Sequence, residues 1–63
     1  MTLKEIRKYY RHLADQERRR ATRAALEARF EHDTMVRIGL EALATTHSTN
    51  AGMYDRLHDE CHA

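Results

Sequence analysis

A run of arginines in the first half of the chain has the residue types and spacing for chemistry on phosphates. It consists of Arg18, Arg19, Arg20 and Arg23. Guanidinium groups bind phosphates and guanine edges, and a helix fits a major groove, so the run predicts an RNA- or DNA-binding helix. The opposing interpretation is a solvated helix face, because Asp15 and Glu17 lie at spacings that pair charges along a helix. These four arginines are therefore the residues predicted to bind nucleic acid.

A second group with chemical potential lies near the C-terminus, where three metal-binding residue types share one helical face. They are His58, Cys61 and His62. Structural zinc sites usually need four ligands, and no C-x-x-C motif accompanies this group. The sequence therefore predicts no metal and no cofactor, with Cys61 acting as a small hydrophobic residue. A zinc site completed by His47 or by a second chain stays as the alternative.

No arrangement of nucleophile and base suggests catalysis. Cys61 and His62 are neighbours, and neighbours on a helix point about 100° apart. Glu27 and Glu31 share a helical face, but so short a chain offers them no pocket. We therefore predict that the protein is not an enzyme.

The length of the chain limits what can hold these groups in place. Its 63 residues form one domain at most, residues 1–63, and its single cysteine cannot form a disulfide within the chain. A core of this size rarely supplies more than about 3–5 kcal/mol, so a partner subunit or a metal is expected to add stability. There is no stretch of about 18 apolar residues to span a membrane and no apolar N-terminal signal. A cytoplasmic protein is expected.

Helix signals dominate the sequence and predict an all-α fold of two or three helices in a hairpin or bundle. Thr2 and Glu5 form a capping box, and no proline or glycine follows before Gly39. The predicted helices cover about residues 3–31, 34–46 and 51–61. Asp33 or Thr34 can cap the second helix, although a helix continuing through residues 31–46 is the alternative. The β-branched and polar residues 45–50 predict the second break.

The apolar residues of the first helix point to a homodimer. Most of them form one stripe that becomes all alanine in its second half, whereas Leu26 and Phe30 lie nearly opposite it. A lone hairpin cannot bury both faces, so we expect two chains to associate. The predicted interface also includes the alanines and the apolar segment from Met35 to Leu43. Its large residues are Ile6, Tyr10, Leu13, Leu26, Phe30, Met35, Ile38 and Leu43.

Charge is divided between the two halves of the chain. Residues 1–30 contain nine basic and four acidic residues, whereas residues 31–63 contain two basic and six acidic ones. Such a division favours antiparallel pairing of the halves, within one chain or between two. It is also typical of nucleic-acid-binding proteins, although these are usually basic overall, and the net charge here is only +1.

The opening segment MTLKEIRKYYRHL, the arginine run and the acidic end at residues 55–61 together resemble small early proteins of lambdoid bacteriophages, encoded between the exonuclease and excisionase genes. The resemblance extends over the whole chain. It implies a helical, dimeric, non-enzymatic regulatory protein in the host bacterial cytoplasm. Such a protein acts early in lytic development through contacts with an unidentified host or phage protein. It assigns no role to individual residues.

Overall fold

The computed structural model describes residues 1–61 and contains two long helices joined by a short turn. Helix α1 spans Leu3–Phe30 and helix α2 spans Thr34–Glu60. They pack against each other along their length as an antiparallel hairpin, a rod of 48 × 13 × 13 Å. Residues 1–61 contain no strand, so the predicted all-α helical hairpin is confirmed.

Side-chain caps set the start of α1 and the turn between the helices. The Thr2 hydroxyl accepts a hydrogen bond from the backbone N–H of Glu5 at 3.2 Å. In the turn, the Glu31 carboxylate accepts from the N–H of Asp33 at 3.0 Å, and the Asp33 carboxylate accepts from the N–H of Val36 at 3.1 Å. These bonds satisfy donors that the helix backbone cannot. The predicted break near residue 33 is confirmed, and the alternative of a continuous helix is wrong.

The second predicted break, at residues 45–50, is wrong, because α2 continues through this segment without interruption. The hydroxyls of Thr45, Thr46 and Thr49 donate to backbone carbonyls four residues earlier, at 3.1, 3.0 and 2.9 Å. Their polar groups are thus satisfied inside the helix and do not compete with it. The separate third helix predicted at 51–61 is the last part of α2.

The contact between the helices, called here the inner seam, follows a spacing of three and four residues on both helices. On α1 it contains Arg7, Tyr10, Ala14, Glu17, Ala21, Ala24 and Ala28. On α2 it contains Leu40, Ala44, His47, Ala51, Tyr54 and His58. This heptad spacing keeps two helices in contact over many turns. Within residues 1–61, every buried apolar residue is an alanine, and Ala14 is completely inaccessible to solvent.

Candidate interaction surface

A hydrogen-bonded polar pair, Glu17 and His47, interrupts the alanine seam at the middle of the hairpin. The Nδ1–H of His47 on α2 donates a hydrogen bond to the Glu17 carboxylate on α1. Arg20, one turn further along α1, donates to the other carboxylate oxygen at 3.3 Å. Only 12% of the Glu17 side chain is exposed, so its charge needs these partners. The pair ties the two helices together at one position.

The hydrogen bond from His47 lowers the pKa of Glu17 below its ordinary value. Burial acts in the opposite direction, while the charges of His47 and Arg20 and a hydrogen bond from Asn50 lower the pKa further. The carboxylate is therefore favoured in its ionised form in the folded protein. Sequence reading missed this role, although Glu17 and His47 both fall on the heptad spacing of the seam.

Two of the four predicted nucleic-acid-binding arginines are engaged within the chain. Arg18 donates to Asp15 at 3.0 Å and also to Asp55 on α2. The hydrogen bond with Asp55 raises the pKa of Arg18. Arg20 is held by Glu17, as described above. These two guanidinium groups therefore form ion pairs within the hairpin.

The other two arginines, Arg19 and Arg23, lie on the outer side of α1 and are exposed. Within residues 1–61, neither is within ion-pair distance of a carboxylate. They line a shallow groove with Gln16 and Arg20. The structure therefore separates the predicted set of four into two paired and two outward-facing arginines.

Large apolar residues are exposed at the turn end of the hairpin. Phe30 is 73% exposed and Met35 is 77% exposed. Leu26 and Phe30 line a groove with Val36 and Leu40 of α2. Contiguous exposed apolar surface of this kind marks contacts with other molecules.

A second heptad stripe, called here the outer stripe, runs along α2 beside the inner seam. It consists of Val36, Gly39, Leu43, Thr46, Asn50, Met53 and Leu57. Val36, Leu43 and Met53 are among the exposed large hydrophobic residues. No charged residue occurs in the stripe, which would suit a position buried against another helix.

Two residues of α1, Ile6 and Leu13, lie on the same side of the hairpin as the outer stripe. Each immediately precedes a residue of the inner seam, as Val36, Leu43, Asn50 and Leu57 precede seam-register positions on α2. Arg20 and Glu27 hold the other two equivalent α1 positions, and Glu27 lines the same groove as Val36. In an antiparallel pair these positions meet on one side.

The eight residues predicted for the dimer interface occupy three places. Ile6, Leu13 and Leu43 lie on the side of the outer stripe, with Leu26 and Phe30 near its turn end. Met35 and Ile38 are exposed on other sides of α2. Tyr10 belongs to the inner seam, where its ring stacks on Tyr54 with centroids 6.4 Å apart. The alanine stripe likewise packs within the chain.

The structure also places two of the predicted metal-binding residue types. His58 contacts Asp59 at 3.2 Å, and Cys61 ends α2 as a free, half-buried thiol. His62 lies outside the described residues. Among residues 1–61, no three His, Cys, Asp or Glu side chains are grouped to hold a metal ion.

No protein-family model, curated protein or solved structure matches this chain. Within the described residues, neither helix combines the length and apolar character required to cross a membrane. A proposal for the function therefore rests on the exposed residues of the hairpin.

Proposed function

We propose that this chain is a non-enzymatic interaction protein that acts through protein–protein contacts, with a second copy of itself as its first partner. The observation that supports this most is that the small apolar residues are buried whereas the large ones are exposed. Alanines fill the interior, while Leu26, Phe30, Val36 and Leu43 are about half exposed or more. A soluble protein gains little from such an arrangement unless a partner covers these side chains.

The further partner is a host or phage protein, and the role is regulatory in early lytic development in the host cytoplasm. The resemblance to lambdoid early proteins supports this part of the proposal. The turn end supports it as well, because its apolar residues surround the hairpin there. A second copy that covers one side leaves Met35 and Ile38 available on the others.

Nucleic-acid binding by α1 is the alternative function. The outward position of Arg19 and Arg23, both without a carboxylate partner in residues 1–61, favours it. The pairing of Arg18 and Arg20 weighs against it, because half of the arginine run already neutralises acidic groups of the chain. Protein contact is therefore the function that we favour.

Two double variants separate these functions in infected cells. Leu26→Ser with Phe30→Ser removes apolar contact, and Arg19→Ala with Arg23→Ala removes the outward charge. We expect the first variant to lose the effect on lytic development and the second to keep it. Circular dichroism checks that both variants remain helical.

A gel-shift titration over a range of salt provides the second readout. Binding through several phosphates weakens steeply with salt. The alternative function is supported if the wild-type chain binds RNA or DNA in this way and the arginine variant loses both binding and function. That result would overturn the proposal of a protein-interaction role.

A further inference from the structure

We infer that the outer stripe is the contact between two copies of this chain, which pack as a four-helix bundle with both turns at the same end. This inference rests on the proposed function, because it assigns the first partner to a defined face. It also adds Met53 and Leu57 to the contact, and it leaves Tyr10 and the alanines inside each hairpin.

The pattern of α2 supports a helix as the occupant of this face. Residues of the outer stripe recur every three or four positions over six turns of helix, from Val36 to Leu57. That spacing fits a long partner helix aligned with α2, since a short peptide or a globular surface would use only part of it. Gly39 and Thr46 are small, and Gly39 has no other group within 4 Å of its Cβ position. A neighbouring helix can therefore approach closely at the centre of the stripe.

The hairpin exposes more surface than a compact chain of its mass, and the excess is about the area that each partner buries in one interface. A compact folded chain of this mass exposes about 4,200 Å² by the usual scaling. This hairpin exposes 5078 Å², and the surplus is close to the ~800 Å² that each partner buries in a standard interface. A second hairpin laid on the outer stripe covers an area of that order.

A second copy is the occupant that the stability of the chain itself favours. Among residues 1–61, alanines are the only buried apolar groups, and alanine burial contributes little per residue. A partner would add to this small stability, and a second copy is present wherever the chain is made. A two-fold contact is also self-complementary, because the outer stripe of each copy then meets the α1 side that carries Ile6 and Leu13 in the other.

Charge determines how the two hairpins are oriented. Helix α1 has nine basic and four acidic residues, whereas α2 has two basic and four acidic ones. With both turns at the same end, each α1 lies beside the α2 helix of the other copy. With the turns at opposite ends, the two basic α1 helices lie side by side and repel each other. The first orientation is therefore favoured.

A matched pair of variants tests the face. Leu43 is 50% exposed on the outer stripe, and Ile38 is 53% exposed on a different side of α2. Leu43→Glu should weaken the dimer at least about 30-fold, the effect of losing one central interface residue. Ile38→Glu should leave the dissociation constant within about threefold. Sedimentation equilibrium measures both constants, and a dimer unaffected by Leu43→Glu overturns the assigned face.

A distance measurement tests the orientation. A spin label is placed at His32→Cys in the turn, in a Cys61→Ser background, and electron–electron distances are recorded in the dimer. Turns at the same end give roughly 20–35 Å, the width of a four-helix bundle plus the labels. A distance near the rod length of 48 Å overturns the orientation.

The outcomes distinguish this inference from the proposed function. A dimer that ignores Leu43→Glu, while Leu26→Ser with Phe30→Ser still abolishes function, contradicts only the face. A folded wild-type monomer contradicts the second copy altogether. Loss of function in the arginine variant, with the dimer and its face intact, contradicts only the protein-interaction role.

Discussion

The inner seam and the outer stripe share the same heptad spacing but differ in the size of their side chains. In the seam, alanines allow α1 and α2 to pack closely, and the hydrogen-bonded pair of Glu17 and His47 lies at its centre. On the outer stripe, Val36, Leu43 and Met53 are large and exposed. Close packing of the two helices and burial of the large apolar side chains are therefore separate in this chain. The first is complete in the hairpin, whereas the large apolar side chains of the outer stripe are left exposed.

The largest decrease in stability should come from placing a large residue in the inner seam. Ala14→Leu forces the helices apart at a position with no accessible surface, and such overpacking costs about 1–3 kcal/mol. Melting at a fixed protein concentration should show a decrease in Tm of roughly 10 °C or more. Ala42→Leu, at an exposed α2 position, is the control and should change Tm little. Equal melting of the two variants would mean that the seam is not closely packed.

The next effect concerns the charged centre of the seam. Glu17→Gln keeps the shape of the side chain but removes the charge that His47 and Arg20 bind. We expect Tm at pH 7 to decrease by roughly 4–8 °C. Glu41→Gln, at an α2 position whose side chain is 62% exposed, is the matched control. A Tm loss no larger than that of the control would remove Glu17 from the stabilising contacts.

The pH dependence of stability should follow from the same carboxylate. Because folding lowers the pKa of Glu17, its contribution is complete above the ordinary value of 4.5 and is lost as the pH falls through the lowered value. Tm measured from pH 7 to pH 3 should therefore decrease more steeply for the wild type than for Glu17→Gln. Parallel curves would contradict a lowered pKa.

The smallest effect should come from the exposed ion pair between Arg18 and Asp55. Both side chains are about half exposed, and exposed pairs contribute little to stability. Asp55→Asn should lower Tm by no more than a few degrees, and 0.5 M salt should reduce the difference from the wild type. A decrease as large as that of Glu17→Gln would show that this pair matters as much as the seam.

Much of the fold could be predicted from local signals in the sequence. Thr2 and Asp33 are capping residues, and each accepts the backbone hydrogen bond that its position predicts. The segment 45–50 could not be predicted in this way. Its threonines have low helix propensity, but α2 packs along α1 there and their hydroxyls bond within the helix. Tertiary contact overrode local preference.

The contact surfaces were predicted only in part, because a stripe of apolar residues at helical spacing can pack either against α2 or against a second chain. The alanine stripe and Tyr10 were recognised as contact residues, but sequence spacing does not say whether α2 or a second chain meets them. The Glu17–His47 pair was missed because polar residues do not stand out in an apolar pattern. Pairing the two heptads in antiparallel register places these residues opposite each other, which is the signal that could have found them.

The hairpin covers its inner seam by itself and, as we propose, its outer stripe with a second copy. Light scattering on the eluting peak of a size-exclusion column, at micromolar concentration and with helicity recorded on the same sample, tests it most directly. We predict a helical species of twice the chain mass of 7.4 kDa. A helical, cooperatively melting species of 7.4 kDa would contradict the claim.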